Sequence, residues 1–232
     1  MFSTLFQYIS IIMKIFFPFK GLCLLTLLLS CSACTKQNDD LFSSVSENRS
    51  NIFLAENDEL HLKIHAVKKE SPYLSDGVAR ETSWRTEVFL TAPSGEKESA
   101  VSFTVNGNTY GGDLSYDNVK SEYFYFVTLD ISTLQSIPVT VTYGDTVVAM
   151  NAVSVLEEGV LSTREVLKKV KAENEDAFRP LITKHGFDGE IYVRLVYEGA
   201  PYYYVGVVDK NGKLFSMLAD GKTGKTLATR NG

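Results

Sequence analysis

The chain has 232 residues, a formal net charge of −5, 44% hydrophobic residues and 12% aromatic residues. This composition predicts folded domains rather than a disordered stalk. The acidic balance argues against nucleic-acid binding, which needs clustered Lys and Arg. Every cysteine lies at or before position 34, so the later residues cannot form a disulfide, a thiolate zinc site or a cysteine nucleophile.

An apolar run, LCLLTLLLSCSAC at residues 22–34, ends at cysteines and follows a segment with Lys14 and Lys20 but no acid. Its apolar core is shorter than the roughly 20 residues that span a bilayer, and it fits the core of a signal peptide. A permanent N-terminal membrane helix is the alternative. We predict that residues 1–30 are a signal peptide, with Met13 as a candidate for the true start.

The end of this run indicates how the chain is anchored. Residues 28–31, LLSC, and residues 31–34, CSAC, each end in a cysteine. Both resemble the bacterial lipobox, whose cysteine is lipidated and becomes the new N-terminus. The resemblance implies lipidation of Cys31, with Cys34 as the alternative, and an extracytoplasmic chain anchored to the cell membrane or the outer membrane. Residues 31–50 are polar and aperiodic, which predicts a lipid-anchored flexible tether.

Short alternating segments separated by turns fill residues 51–156. Leu60, Leu62 and Ile64 alternate with polar residues, for example, and Asn106-Gly107 is a hairpin signal. Seven or so such segments predict an antiparallel β-sandwich of immunoglobulin-like type. A barrel is the competing architecture.

The pattern changes at residues 162–232. Ser162 and Glu165 have the spacing of a helix capping box, and apolar residues then recur at helical spacing as far as Pro180, which should kink or split the helix. Gly186 is expected to end it. Three strands follow, predicted at residues 190–197, 202–208 and 213–219. The chain is therefore predicted to be mainly β with one helix, and to end in a small α+β domain, a helix on an antiparallel meander.

Residues 203–208, YYVGVV, and residues 219–227, ADGKTGKTL, carry a family resemblance. With the preceding helix they resemble the PepSY family, small domains of protease propeptides and exported bacterial proteins. The Asp-x-x-Thr-Gly turn of that family is matched here by Asp220, Thr223 and Gly224. The resemblance implies a non-catalytic module that restrains an exported peptidase or binds another envelope protein.

Three consecutive tyrosines provide the candidate binding residues. Because side chains alternate along a strand, Tyr203 should face away from Tyr202 and Tyr204. We expect Tyr202 and Tyr204 on the outer sheet face, where tyrosines favour protein or sugar contact. Packing of these rings on the helix or between domains is the alternative. The candidate binding residues are thus Tyr202, Tyr204, Asp220, Thr223 and Gly224.

No catalytic or metal-binding constellation is predicted. Ser94 and Lys97 match S-x-x-K and residues 222–224 match K-T-G, but both motifs lie in predicted turns, where acyl-enzyme chemistry does not place them. His61 and His65 share a predicted strand face about 13 Å apart, too far to chelate one ion, and both are expected to be exposed. His185 is expected at the helix end.

The sequence therefore predicts an exported, lipid-anchored, non-enzymatic binding protein without a cofactor or metal. A carbohydrate- or cell-wall-binding module centred on residues 51–156 is the alternative function. A hydrolase of unrecognised type is the third possibility.

Overall fold

Strands dominate residues 40–92 and 97–232, which this computed structural model describes, and nearly all of them pair antiparallel. The predicted mainly β character is confirmed. The strands are β1 (Val45–Glu56), β2 (His61–Glu70), β3 (Thr82–Thr91), β4 (Ser99–Val105), β5 (Asn108–Asp113), β6 (Ser115–Asp117), β7 (Glu122–Val127), β8 (Ser136–Tyr143), β9 (Thr146–Ser154), β10 (Ile182–Thr183), β11 (Gly186–Phe187), β12 (Glu190–Tyr197), β13 (Pro201–Val208), β14 (Leu214–Asp220) and β15 (Thr226–Asn231). The helices are α1 (Thr163–Glu173) and α2 (Glu175–Phe178), with 3-10 turns at Leu41–Ser44 and Arg179–Leu181.

Strand β1 joins the two arms of the sheet. One of its edges pairs with β2 over nearly the whole strand. The other edge is divided: the first half pairs in parallel with β12, and Phe53 and Leu54 pair antiparallel with β9. A β-bulge between Arg49 and Asn51 lies at this division. The sheet therefore branches at β1. Its main path runs in the order β15-β14-β13-β12-β1-β2-β3-β7-β6, and a branch of β9, β8, β4 and β5 leaves this path at β1.

Two hydrophobic cores lie on this frame. The first core lies between the layer of β1, β2, β3 and β7 and the layer of β4, β8 and β9. Ile64, Phe103 and Ile137 are almost fully buried in it. The alternation predicted for Leu60, Leu62 and Ile64 is confirmed by their burial. The second core lies between α1 and the meander of β12, β13 and β14. Asp40–Gly232 form one compact unit.

The helix begins as predicted and ends earlier than predicted. The Ser162 hydroxyl accepts from the Glu165 backbone N–H, and the Glu165 carboxylate accepts from the Ser162 backbone N–H at 2.9 Å, which completes the capping box. α1 ends at Glu173, and the chain then makes α2 and a 3-10 turn. The prediction that Gly186 ends the helix is wrong, because Gly186 lies in β11, which pairs with β10 in a hairpin.

The predicted flexible tether is wrong for residues 40–50, which form a 3-10 turn and the first half of β1. Two of these polar residues have polar partners on β12. The Ser46 hydroxyl donates to Glu190 Oε1 at 2.6 Å, and Glu47 pairs with Arg194. Composition indicates disorder only where polar side chains have no such partners. Cys31, Cys34 and Ser94 lie outside the described residues.

Asn51, fully buried beside the bulge, should be essential for stability. Its Nδ2 donates to the carbonyls of Ser132 and Leu134 at 3.2 and 3.3 Å, and its Oδ1 accepts from the Ser154 hydroxyl at 2.8 Å. Asn51→Ala leaves these part-buried groups without their partner and opens a cavity beside the bulge, so we expect a loss of about 2–3 kcal/mol in the free energy of unfolding. Denaturant titration measures it. Asn151→Ala, at an exposed position of β9, is the matched control, and an equal loss in both variants would contradict this role.

Candidate functional site

The tyrosines of β13 alternate between the core and the outer face. Tyr203 is 1% exposed and its hydroxyl donates to the Leu161 carbonyl at 2.7 Å. Tyr202 and Tyr204 are half-buried and point to the opposite face of the sheet. The predicted opposition of Tyr203 to its neighbours is therefore confirmed. Only the outer pair can contact another molecule.

Residues from the neighbouring strand and from the β2–β3 loop complete an aromatic surface around this pair. In the register of β12 and β13, Arg194 lies opposite Tyr204. The Arg194 guanidinium stacks 5.0 Å from the ring centroid of Tyr192 and 5.6 Å from that of Tyr204. The ring of Tyr73, from the loop, lies 5.9 Å from that of Tyr192. We call this set the tyrosine–arginine surface; it consists of Tyr73, Arg194, Tyr202 and Tyr204, together with Tyr192, which is only 4% exposed and packs against Tyr73 and Arg194.

The guanidinium of Arg194 is held by hydrogen bonds from β1 and from the β2–β3 loop. Its Nε and Nη2 donate to the two carboxylate oxygens of Glu47 on β1 at 2.8 and 2.6 Å, and Nη2 also donates to the Tyr73 hydroxyl at 3.2 Å. Burial is the largest single effect and acts to lower the pKa of Arg194, but the hydrogen bonds and the negative charge of Glu47, together with Tyr73 and Tyr204, raise that pKa overall. The two-pronged geometry orients the cation as well as attracting it. Arg194 is therefore a rigid platform for the rings on either side.

The β2–β3 loop is pinned onto the same face. The hydroxyls of Ser75 and Tyr192 lie 2.7 Å apart, and the Gly77 N–H donates to the fully buried Glu190 carboxylate at 3.0 Å. A Cβ at Gly77 would lie 2.2 Å from the Asp209 carbonyl oxygen, and its φ is +74°, so only glycine fits this approach. The loop in turn leaves Tyr73 37% exposed and Leu74 46% exposed. These side chains form an accessible rim.

The predicted turn residues are used within their own turn. Asp220 Oδ1 accepts from the Thr223 N–H at 2.7 Å and from the Thr223 hydroxyl at 2.8 Å, and the Gly224 N–H donates to the Asp220 carbonyl. The hydrogen bond from the Thr223 backbone is the main reason why the pKa of Asp220 is lowered. Asp220 lies opposite Tyr202 in the register of β13 and β14. Asp220 therefore lies at the edge of the tyrosine–arginine surface, whereas Thr223 and Gly224 shape the turn. A binding role for Asp220, Thr223 and Gly224 stays a prediction.

The remaining sequence motifs are not gathered into a reactive centre. Within residues 40–92 and 97–232, no group of three His, Cys, Asp or Glu side chains could hold a metal ion. His61 is exposed as predicted, but the prediction for His65 is wrong: it is 5% exposed, with its ring 4.8 Å from that of Phe89. His185 lies in the β10–β11 turn rather than at a helix end. No helix of the described residues is long and apolar enough to cross a membrane.

Sequence reasoning missed Tyr73, Tyr192 and Arg194. Tyr192 and Arg194 share the alternation of their strand, EIYVRLVY, so the pattern alone places both on one face. The alternation does not reveal that Glu47 pairs with Arg194 on this face, or that the β2–β3 loop folds back and places Tyr73 there.

Comparison of the chain with models of known protein families gives no match, and comparison with curated proteins gives none. The lipobox and PepSY resemblances therefore stay hypotheses. Functional inference rests on the geometry of the surface.

His65 should make the stability of the protein depend on pH. Burial, followed by the positive charges of Arg49, Lys63 and Lys69, holds the pKa of His65 well below its usual value. Glu87, opposite His65 on β3, is the facing carboxylate, and it forms an ion pair with Lys69.

Below pH of about 6.5 the unfolded chain therefore binds a proton that the folded chain does not. As the pH is lowered below about 6.5, the free energy of unfolding should therefore decrease by up to about 1.4 kcal/mol per pH unit. His65→Gln should remove this slope between pH 6.5 and 5, whereas His61→Gln, at an exposed histidine, should keep it. Denaturant titrations at several pH values measure the slope, and an unchanged slope in His65→Gln would show that another group causes it.

Proposed function

We propose that this chain is an exported, lipid-anchored lipoprotein that acts as a non-enzymatic binding module. Its tyrosine–arginine surface would capture an exported peptidase or another envelope protein. The observation that carries the proposal is the stacking of Arg194 between Tyr192 and Tyr204 while Glu47 holds it in place.

The composition of the surface suits a protein partner. Tyrosine and arginine are enriched among the residues that dominate binding energy in protein interfaces. Tyrosine offers a large ring with little rotational freedom to lose. Because Arg194 and Tyr73 are already hydrogen-bonded to one another, little side-chain entropy remains to be lost on binding.

The architecture supports the proposed domain types. α1 packs on the antiparallel meander of β12, β13 and β14, which is the arrangement that the PepSY resemblance implies. In the other arm, two layers of antiparallel strands enclose the first core. That part of the sheet ends at β6 on one side and at β5 on the other. An immunoglobulin-like sandwich accounts for these free ends better than a closed barrel.

Substitution of the outer tyrosines tests the binding surface. We expect the double variant Tyr202→Ser/Tyr204→Ser to capture at least tenfold less partner from membrane extracts, because the outer rings are lost and the core ring of Tyr203 remains. The midpoint of thermal unfolding should change by only a few degrees. The control is Phe126→Ser, which removes an exposed aromatic ring outside this surface, with the Arg85 guanidinium 4.9 Å from its centroid.

Equal capture by the wild type and the double variant would rule out the surface. A fall in the thermal midpoint as large as that of Tyr203→Ser would show instead that the outer rings belong to the core.

Intact mass of the membrane-extracted protein tests the anchor. We expect a diacylglycerol-modified chain that begins at Cys31 or Cys34. Substitution of the modified cysteine by serine should abolish both the lipid and the cleavage, and Cys23→Ser should leave both unchanged. An unmodified chain that retains residues 1–30 would contradict the proposed anchoring.

Carbohydrate binding by the sandwich is the second candidate. The observation in its favour is an aromatic pair on β7, where Phe126 is 49% exposed and its ring lies 5.9 Å from that of Phe124. Binding to purified cell wall that is lost in Phe126→Ser and kept in the tyrosine double variant would favour this function.

A further inference from the structure

The outer face of the layer formed by β5, β4, β8 and β9 carries almost no charge. Cross-strand pairing places the same-facing residues of these strands side by side. We call this set the neutral face; it consists of Ala100, Ser102, Thr104, Thr109, Gly111, Asp113, Ser136, Pro138, Thr140, Thr142, Val147, Ala149, Asn151 and Val153. Only Ala100 and Thr142 are half-buried, and the rest are exposed.

Such a face is unusual for this chain, in which 22% of the residues are charged. Asp113 is its one charged residue, and it lies at the end of the edge strand β5. The outer face of the other layer, by contrast, carries Lys63, Lys69 and Arg85. Two apolar side chains of this face are exposed to solvent: Val147 is 67% exposed and Val153 is 52% exposed. A broad face with a single charge and two widely exposed valines is a candidate surface for contact.

We propose that the neutral face is where two copies of this chain meet, sheet against sheet, about a two-fold axis. A chain of net charge −5 repels a second copy at long range, and the neutral face is where that repulsion is weakest. A two-fold contact needs a patch that is complementary to itself. Small side chains that are almost all uncharged satisfy this condition, since any of them can meet any other without a steric clash or a charge conflict.

Other occupants fit the face less well. A charged partner would find no opposite charges on it. A sugar ring would find no aromatic side chain on it, and Asn151 is its one side-chain amide. Serine, threonine, alanine and valine are short enough for two sheets to approach to about 10 Å, the usual spacing of packed sheets.

The dimensions of the face predict a reversible dimer. Four strands about 4.8 Å apart, with about seven residues at 3.3 Å each, cover roughly 430 Å² per copy. A stable interface buries about 800 Å² per partner, so we expect a weak dimer that dissociates on dilution. Because the tyrosine–arginine surface lies on the outer face of the opposite layer, the dimer would display two such surfaces at once and gain avidity for a clustered partner.

A charge placed at the centre of the neutral face tests the proposal. Thr140 on β8 lies opposite Ser102 on β4, between the middle strands of the face. Any two-fold contact that covers the face brings its centre close to the axis, so Thr140→Glu sets two like charges near one another. The matched control is Thr229→Glu, at an exposed threonine of β15 outside the face. Sedimentation equilibrium of the full chain in density-matched detergent measures the association.

We expect the wild type and Thr229→Glu to dimerise alike and Thr140→Glu to dimerise at least tenfold more weakly. A mixture of Thr140→Glu with Thr140→Lys should recover the association, because opposite charges then meet. Association caused by the lipid or the micelle would be the same in all variants and would overturn the proposal. A wild type that stays monomeric throughout would also overturn it. Ser102→Glu repeats the test if Thr140→Glu fails to fold.

Discussion

The divided edge of β1 is the constraint on which the rest of the structure depends. A strand has two edges, and β1 gives one of them to β2 throughout. Its other edge must serve two neighbours of opposite direction, β12 in parallel and β9 antiparallel. The bulge between Arg49 and Asn51 makes this possible, because an extra residue bends the strand and ends one pairing before the next begins.

The bulge has a cost in unsatisfied polar groups. Buried atoms without a hydrogen-bond partner gather around it: Asn48 Oδ1, Arg49 Nε, Ser50 Oγ and His65 Nδ1. Each such group costs about 1–3 kcal/mol. The side chain of Asn51 offsets part of this, since it ties β1 to the β7–β8 connection and to β9.

The ion pair of Glu47 and Arg194 connects this fold to the proposed function. A half-buried pair contributes little net stability, but it discriminates strongly between correct and shifted pairings. Here it fixes the register of β1 against β12, where Glu47 lies opposite Tyr192. The same bond orients the guanidinium between Tyr192 and Tyr204. A shift of one residue would turn Arg194 into the helix-side core, so fold register and surface geometry are set by one contact.

Local patterns in the sequence predict the parts of this molecule that are held locally. The alternation of Leu60, Leu62 and Ile64, the capping box at Ser162 and the opposition of Tyr203 to its neighbours all follow from periodicity. The first half of β1, the burial of His65 and the assembly of the tyrosine–arginine surface do not. The first half of β1 and the surface depend on Ser46, Glu47 and Tyr73 meeting residues more than a hundred positions away. The burial of His65 depends on a neighbouring strand that brings Phe89 against its ring. No local pattern encodes such meetings.

The division of β1 also decides where the two proposed surfaces lie. Because β12 extends the layer that contains β2, the outer side chains of β12 and β13 face away from the first core. β9 pairs with the second half of the same edge of β1 and continues into the opposite layer. The outer side chains of β8 and β9 therefore point away from the first core on its other side. One surface is aromatic and held rigid by an ion pair, and the other is flat and almost uncharged. Each can therefore be occupied without blocking the other, which is the arrangement that a bivalent capture protein requires.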